Sequence, residues 1–350
     1  MLGETGQHQA ERPVEGLLPR ATLSDVARLA GVSAKTVSRV VSGHRGVSAD
    51  TRQRVLEAAQ RLRFRPNHLA RDLRQGGVST TVAFVMGDLR NPFYSNVAAG
   101  IEEVLAEHGL TMVIAATGDD PGQEARVVAA MLERRVRSLL LAPIAADQSY
   151  LQGERQLGTP VICIDRPGQN LVADSVVFAN REGAAEAVRS LVGHGHRRIA
   201  FVGSTVHTHQ ERLAGYRAAL LEAGVPGSAA LERTDATTAA AAQHAVAEML
   251  AGSNPPTAIL AGNNRASTGV LRALRESGRR PAFIGFDDFE FADSFGITVV
   301  AHDPEEMGRE AVRLALLRHA DLTAPPIRKV LPVRLVPRGS GELPPADGHG

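Results

Sequence analysis

The segment TLSDVARLAGVSAKTVSRVVSG, residues 22–43, decides the fold of the N-terminal part of the chain. Thr22 followed by Asp25 is typical of a capping box, which marks the start of a helix, and apolar residues then recur at helical spacing. Gly31 stands where a helix ends in a left-handed residue, and Ser33 caps the helix that follows. Two short helices joined by a glycine-containing turn predict a helix-turn-helix.

The second helix of this motif carries side chains that suit base recognition. Its valines face inward, and the opposite face presents Ala34, Lys35, Ser38 and Arg39. Arginine and lysine donate to the two acceptors of guanine, and alanine is small enough to contact a thymine methyl group. Because the second helix lies in the major groove, we predict that Ala34, Lys35 and Arg39 contact bases. A polar face that meets only water is the alternative.

A third helix is predicted to begin at Ser48 and to complete the core of the headpiece. Its apolar residues Val55, Leu56, Ala59 and Leu62 are expected to close that core. Hydroxyl groups at helix N-termini are suited to phosphate contacts. The predicted DNA backbone contacts are therefore Thr22, Ser33, Thr36 and Ser48.

The length of 350 residues favours two or three domains. Charge is distributed unevenly along this chain. Residues 21–77 hold 11 Lys/Arg and 4 Asp/Glu, a net charge of +7, and the remainder holds 28 and 34, a net charge of −6. The basic segment suits a polyanion such as DNA, although solvated helix faces are the alternative. We find no apolar run of about 18 residues and no signal-peptide core. The sequence predicts a cytoplasmic protein that does not engage a membrane.

From Thr80 onward, apolar runs of the strand type alternate with amphipathic helical segments. This alternation predicts parallel sheets covered on both faces, and two sets of runs predict two Rossmann-like subdomains with a boundary near residue 178. Ligands bind beyond the carboxyl ends of such strands, so we predict a cleft between the subdomains. The predicted strands span 82–86, 111–116, 139–144, 161–165, 199–203, 258–262, 283–287, 297–301 and 330–336. The predicted helices span 97–108, 122–135, 182–193, 211–223 and 264–277.

Several stretches resemble one known family. Residues 22–43, with VSADTRQRVLEAAQRLRFRPNHLARDLR after them, resemble the headpiece of lactose-repressor (LacI) type regulators. Further matches are GDLRNPFYSNVAAGIE, PVICIDRP, GHGHRRIAFVG, ERLAGYRAAL and IGFDD. The resemblance implies a periplasmic-binding-protein-like sensor and a homodimer on a pseudo-palindromic operator in double-stranded DNA. It also implies a sugar-like effector, or less often a nucleobase, with repression as the commoner outcome and no cofactor.

The resemblance also implies an element that joins headpiece and sensor. It places a hinge helix in residues 67–77, with Leu73 as a wedge in the minor groove, and adds Ser38 and Asn67 to the backbone contacts. An apolar wedge of this kind kinks the duplex. The expected layout is a disordered tail at 1–20, the helix-turn-helix domain at 21–66, the hinge at 67–77, the effector and dimerisation domain at 78–337, and a disordered tail at 338–350.

For the cleft, the resemblance implies an aromatic wall and several polar contacts to the effector. Phe93 and Tyr94 would form the wall, and Asp165, Asp287 and Asn263 would bind polar atoms. Each of these residues has a structural alternative, in the core or at a cap. His209 and Gln210 complete the predicted contacts.

Two positions depart from the family pattern. Gln210 stands before ERLAGY where many sugar-binding members have arginine, and Asn264 stands where they have aspartate. These changes predict that the arginine fork onto vicinal hydroxyls is missing and that an amide replaces an acceptor-only carboxylate.

Metal binding and catalysis are disfavoured by the motifs. The histidines at 194, 196, 207 and 209 form H-x-H pairs, but we interpret His196 as structural and expect His207 and His209 on a loop facing the cleft. Cys163 has no second cysteine to pair with. We find no phosphate loop, HExxH or GxSxG, so we predict a protein that is not an enzyme. The main alternative is a transport-type binding protein with the same sensor fold.

Overall fold

The computed structural model describes residues 21–42, 44, 46–65 and 79–345. The chain divides into a headpiece unit, Met1–Ser79, and a sensor unit, Thr80–Gly350. The predicted backbone contact Asn67, the predicted wedge Leu73 and the predicted N-terminal tail lie outside the described residues.

The headpiece contains three short helices, as the sequence predicts. They are α1 (Leu23–Ala30), α2 (Ala34–Val41) and α3 (Ala49–Arg61). Val26, Val37 and Val55, one from each helix, are fully buried against one another. The prediction for Leu56 was wrong, because its side chain is about half exposed and the neighbouring turn of α3 instead buries Ala58.

The helix starts in the headpiece are fixed by the predicted caps. Thr22 N donates to the Asp25 carboxylate at 2.9 Å, and Thr22 Oγ1 accepts from Asp25 N at 3.3 Å, which is a capping box. Ser33 Oγ accepts from Thr36 N at 3.1 Å and so begins α2. Gly31 has φ 65°, the left-handed conformation that ends α1 at low cost.

The sensor unit contains two six-stranded sheets. The strands are β1 (Thr81–Met86), β2 (Thr111–Ala116), β3 (Ser138–Leu141), β4 (Val161–Ile164), β5 (Asp174–Phe178), β6 (Ile199–Val202), β7 (Glu232–Arg233), β8 (Ala258–Ala261), β9 (Ala282–Phe286), β10 (Thr298–Ala301), β11 (Arg328–Leu331) and β12 (Arg334–Val336). Sheet 1 has the order β11-β5-β4-β3-β1-β2, and all of its neighbouring strands are parallel. Sheet 2 has the order β12-β10-β9-β8-β6-β7, in which only β12 is antiparallel to its neighbour.

Helices cover both faces of each sheet. The helices are α4 (Pro92–Glu107), α5 (Pro121–Glu133), α6 (Asn180–Gly193), α7 (His207–Glu222), α8 (Ala239–Ala251), α9 (Asn264–Ser277) and α10 (Pro304–Ala320). In sheet 1, α4 and α10 pack on one face and α5 on the other. In sheet 2, α6 and α7 pack on one face and α8 and α9 on the other. Fully buried central strands explain the near-continuous apolar runs in the sequence.

The chain passes between the two subdomains three times. The first crossover leads from β5 into α6, the second from β10 into α10, and the third from β11 to β12. Residues 330–336, predicted as one strand, are divided between β11 and β12. Pro332 stands between them and has no amide proton for a ladder hydrogen bond, which explains the break. Strands β5 and β7 and helices α8 and α10 were not predicted.

Two glycines attach α10 to the first subdomain. A Cβ atom on Gly100 of α4 would lie 1.9 Å from the carbonyl oxygen of Glu305, and one on Gly308 of α10 would lie 2.1 Å from that of Val97. The backbones of α4 and α10 are therefore in direct contact. None of the helices in the described part of the chain is long and apolar enough to cross a membrane.

The C-terminal segment differs from the expected disordered tail. Residues 338–345 lie along sheet 2, where Ser340 Oγ accepts from Thr298 N at 2.8 Å and Thr298 Oγ1 donates to Glu342 at 2.7 Å. His196 Nε2 donates to the Leu343 carbonyl oxygen at 2.8 Å. The segment lacks periodic apolar residues, which is why the sequence suggests a tail. Its polar groups instead complete hydrogen bonds at the start of β10.

Candidate ligand cleft and DNA-binding face

A cavity of about 220 Å³ lies where the carboxyl ends of both sheets meet. Asp165 follows β4 of sheet 1, and Asn263 and Asp287 follow β8 and β9 of sheet 2. The cavity therefore occupies the place that the sequence predicts for a cleft between two parallel sheets.

Asp165 and Asp287 occupy matching positions in the two subdomains. Each residue directly follows a strand and has a positive φ, 70° for Asp165 and 74° for Asp287. Each backbone amide donates to the neighbouring strand, to the Val176 oxygen at 2.9 Å and to the Val300 oxygen at 3.0 Å. Left-handed backbone is uncommon outside glycine, asparagine and aspartate. Here it lets both aspartates contribute to the cavity wall.

Asp287 is the centre of a buried polar network. Its carboxylate lies 2.8 Å from His302 Nε2 and 3.5 Å from Arg212 Nη1, and it accepts from the backbone amide of Asn264 at 3.1 Å. Burial alone would raise the pKa of Asp287. The Arg212 charge and the hydrogen bonds from His302 and Asn264 outweigh that effect and hold the pKa well below its usual range. Asp287 is therefore an anion in the folded protein.

The expectation that the cleft lacks an arginine for vicinal hydroxyls was wrong, because Arg212 lines the cavity. This residue, the arginine of ERLAGY, lies in the cavity wall, where Nε donates to Asn180 Oδ1 at 2.8 Å and Nη1 donates to the Gly262 carbonyl oxygen at 2.5 Å. Its guanidinium lies 3.6 Å from the centre of the Phe286 ring. Gln210 does not line the cavity, because its exposed side chain donates to the Thr205 carbonyl oxygen at 2.9 Å.

A second arginine, which the sequence analysis did not select, faces Asp165. Arg166 Nη2 lies 2.6 Å from Asp165 Oδ2, and both side chains are largely buried in the cavity wall. The adjacent carboxylate keeps Arg166 charged by raising its pKa against the opposing effect of burial. The signal in the sequence is the position of Arg166, one residue past the predicted end of a strand.

An aromatic wall lines the cleft, as the resemblance implies. Phe93 and Tyr94 pack edge to face with ring centres 5.1 Å apart, and both contribute to the cavity. Burial raises the pKa of Tyr94 to about 12, so its hydroxyl stays protonated. Behind them, His302 stacks on Phe178 with ring centres 4.1 Å apart.

Two neighbouring residues of α9 contact the first subdomain across the cleft. Arg265 lies 2.6 Å from Asp88 and 3.0 Å from Asp119, and Asn264 Nδ2 donates to Asn91 Oδ1 at 2.9 Å. An aspartate at position 264 could not make that donation. Asn263 lines the cavity and also caps α9, since its Oδ1 accepts from Ala266 N at 2.8 Å.

The four histidines of the H-x-H pairs separate in the structure. His209 lines the cleft, whereas His207 lines a smaller cavity of about 110 Å³, and both stand on α7 rather than on a loop. His196 is held between Thr257 Oγ1, at 3.0 Å, and the Leu343 carbonyl oxygen. Within the described ranges, no group of three metal-binding side chains comes together.

The face of α2 opposite its buried valines is open to solvent. Ala34, Lys35 and Arg39 are exposed there, and Ser38 is half-buried beside them. In the described part of the headpiece, neither Lys35 nor Arg39 has an ion-pair partner. Their side chains are therefore free to contact a nucleic acid.

A helix-turn-helix and, in the same chain, a two-sheet domain with a polar cleft define a regulator that binds DNA and senses a small molecule. Comparisons with known proteins agree with this class. Residues 22–67 match the bacterial regulatory proteins of the lacI family, and residues 188–341 match a periplasmic binding protein-like domain.

Full-length relatives extend the match. The HTH-type transcriptional regulator CelR of Thermobifida fusca is 33% identical over 92% of this chain and 98% of its own. Catabolite control protein A of Priestia megaterium is 30% identical over 84% of this chain and 91% of its own.

Solved structures share the fold over the same length. The lac repressor dimer bound to operator and the anti-inducer ONPF has a TM-score of 0.81 at 28% identity, covering 92% of this chain and 99% of that one. The CelR–cellobiose complex has a TM-score of 0.68 at 32% identity, covering 92% and 100%.

The chain belongs to the LacI family of bacterial regulatory proteins. It is a DNA-binding transcription regulator that combines a helix-turn-helix with a periplasmic-binding-protein-like domain. The headpiece match removes the basis for the transport-type alternative.

Proposed function

We propose that this regulator is a cytoplasmic repressor that binds a pseudo-palindromic operator as a homodimer and responds to a neutral sugar or polyol in the cleft. Ala34, Lys35 and Arg39 read bases, and the cleft has no catalytic role. The observation that carries the effector class is the balance of charge in the cavity wall. It contains the arginines 166, 212 and 265 and the aspartates 119, 165 and 287.

An uncharged effector leaves that balance intact. An ionic ligand would leave a net charge in a largely buried site, which is costly. Among the described residues, Arg166 Nη1, Arg212 Nη2 and Asp165 Oδ1 have no hydrogen-bond partner. A hydroxyl group can accept from a guanidinium and donate to a carboxylate at once, so vicinal hydroxyls match this wall. The structure of the relative CelR in complex with cellobiose supports a sugar.

The remaining residue roles rest on the family. Thr22, Ser33, Thr36, Ser38, Ser48 and Asn67 are proposed to contact the DNA backbone, and Leu73 to insert into the minor groove. Thr22, Ser33 and Ser48 each cap a helix start in the structure, which suits phosphate contacts. Effector binding changes operator affinity to the extent that the effector prefers one state of the cleft.

Exposed aromatic side chains support a dimer. Phe291 and Phe295, in the segment after β9, are 59% and 73% exposed, and neighbouring apolar groups of this kind mark protein interfaces. The lac repressor structure that shares the fold is a dimer. Sedimentation should show Phe295→Asp as a monomer, whereas Leu157→Asp, at an exposed leucine of the first subdomain, should stay dimeric. A dimeric Phe295→Asp would contradict this interface.

A thermal-shift panel tests the effector class. Cellobiose, glucose, galactose and ribose would be compared with gluconate, glucose 6-phosphate and nucleosides. A neutral sugar at a hundred times its dissociation constant should stabilise the protein by about 2.7 kcal/mol. The shift should be lost in Asp165→Asn and kept in Glu222→Gln, a surface substitution on α7. A larger shift with an acidic compound than with any neutral sugar would overturn the proposed class.

A further inference from the structure

The Nδ1 atom of His209 is held as a hydrogen-bond acceptor. His209 is 3% exposed, and the backbone N–H of Ser204 points to its Nδ1 at 2.6 Å. The Ser204 hydroxyl lies 3.0 Å from the same nitrogen. A backbone amide can only donate, so Nδ1 carries a lone pair and no proton.

The single proton of the ring must then be on Nε2. Burial, followed by the nearby Arg212 charge, lowers the pKa of His209 to about 3. The ring is therefore neutral near pH 7 and has one proton, which Nδ1 cannot carry. His209 Nε2–H is thus a donor of fixed direction.

This donor has no hydrogen-bond partner among the residues that the structure describes. None of the hydrogen bonds between described residues uses His209 Nε2, and the ring forms part of the cleft wall. Nε2 is not among the buried side-chain atoms that lack a partner, so this edge of the ring is open to the cleft. The cleft is the remaining place where this group can find an acceptor.

The position of the ring is enforced by close contacts. A Cβ atom on Gly203 would lie 3.0 Å from His209 Nδ1 and 2.7 Å from the Phe201 ring. Only glycine at position 203 lets the β6 end approach the imidazole so closely. The ring is therefore positioned before any effector arrives.

We propose that His209 is a specificity-determining residue that donates from Nε2 to an uncharged oxygen of the effector. This inference rests on the proposed sugar-binding function of the cleft and deepens it. A neutral ring with Nε2–H can donate to a hydroxyl, ring or carbonyl oxygen, but it cannot accept from an ammonium group. The cleft should therefore reject an amino sugar whose ammonium group replaces that oxygen.

Nitrogen NMR of the full-length protein labelled with ¹⁵N-histidine tests the state of the ring. We expect a protonated Nε2, an unprotonated Nδ1 and no titration of His209 between pH 5 and pH 8. A proton on Nδ1, or titration within that range, would overturn the proposal before any ligand is added.

A cycle of ligand and protein changes tests the contact itself. Glucose, galactose, ribose and cellobiose, with their monodeoxy analogues, would be titrated calorimetrically into the wild type, His209→Leu and His209→Gln. Loss of the donor in His209→Leu should lower affinity roughly tenfold to a hundredfold. The same loss should appear in the wild type for one deoxy analogue, and the leucine variant should no longer distinguish that analogue from its parent.

Controls separate the possible outcomes. Glutamine at 209 keeps a donor and should retain most of the affinity even if the leucine variant fails to fold. His207→Leu changes a histidine on the same helix that does not line the cleft, and it should bind as the wild type does. Equal sugar affinity in wild type and His209→Leu would overturn this inference alone. No binding of any of the four sugars, with operator binding intact, would overturn the proposed effector class and this inference together.

Discussion

Arg265 and Asp88 belong to different subdomains, and their side chains meet across the mouth of the cleft at 2.6 Å. Arg265 stands in the first turn of α9, and Asp88 follows β1. Arg265 also contacts Asp119, which follows β2, at 3.0 Å. One arginine thus joins the ends of two strands of sheet 1 to a helix on sheet 2, and it favours the closed cleft.

We predict that Arg265→Gln opens the cleft. Arg265 is partly exposed, so its ion pairs should contribute no more than about 1 kcal/mol, and the open population should rise roughly fivefold. Spin labels on Glu133→Cys and Ser277→Cys would report the separation of the subdomains. The only native cysteine, Cys163, is buried, and burial raises its pKa to about 12, so it should not compete for label.

The matched control for this variant is Arg90→Gln. Arg90 contacts the same Asp88 at 3.1 Å but belongs to the same subdomain as its partner. Its loss should leave the label distance unchanged. High salt should open the wild type and have less effect on Arg265→Gln, because ion pairs near the surface are screened. Equal distances in both variants would show that the bridge does not hold the cleft closed.

Arg39→Ala should relax base preference at one position in each half-site. A bidentate contact to guanine contributes about 1–3 kcal/mol of discrimination. Selection from a random operator pool, followed by titration of single-base variants, would measure the change. Arg28→Ala, at an exposed residue of α1 that pairs with Asp25, should not alter the preferred base. A uniform loss of affinity in Arg39→Ala would instead mark Arg39 as a phosphate contact.

Asp174→Asn should strongly destabilise the sensor. Asp174 and Arg318 form a two-pronged ion pair at 2.6 and 2.7 Å, and each side chain is 2% exposed. Removing one charge leaves the other buried without its counter-ion, which costs about 3–5 kcal/mol. Urea denaturation would measure the change. Glu222→Gln, in the exposed pair with Arg189, should change stability by less than about 1 kcal/mol.

His209→Gln should flatten the dependence of stability on pH. The folded protein takes up a proton on His209 only near pH 3, whereas the unfolded chain does so near the ordinary value of 6.5. Lowering the pH between these two values therefore reduces the free energy of unfolding, by up to about 1.4 kcal/mol per pH unit. Urea denaturation from pH 7 to pH 4 should show a shallower loss for the variant. Parallel profiles would mean that His209 titrates alike in both states.

The headpiece was predicted well because its signals are local. The capping box of Thr22 and Asp25, the left-handed Gly31 and the cap at Ser33 each involve residues within one turn of one another. Leu56 was wrongly assigned to the core because only a narrow stripe of α3 packs against α1 and α2. Which side of a short helix faces its neighbours depends on how the helices cross, and spacing alone does not fix that.

Only part of the cleft was predicted. The ends of strands can be located in a sequence, whereas the side chains from other segments that meet them in the fold cannot. Asp165 and Asp287 were selected through the family resemblance, and both stand directly after apolar runs, where a cleft is expected. Arg212 was overlooked because the expected fork was assigned to the position of Gln210, two residues earlier on α7. A shift of two residues turns a side chain through about half of the helix circumference, which separates the exposed Gln210 from the buried Arg212.

The chain passes between the two subdomains three times, and this limits how the sensor can be cut into halves or joined to parts of a relative. Each half of the sensor is assembled from segments that are far apart in sequence, with α10 and β11 returning to sheet 1 after most of sheet 2 is complete. A single splice cannot exchange one half for that of a relative, nor can one cut release an intact half. A chimera with a new cleft would need at least three junctions placed together, so new ligand preferences are reached more readily by point substitution at strand ends.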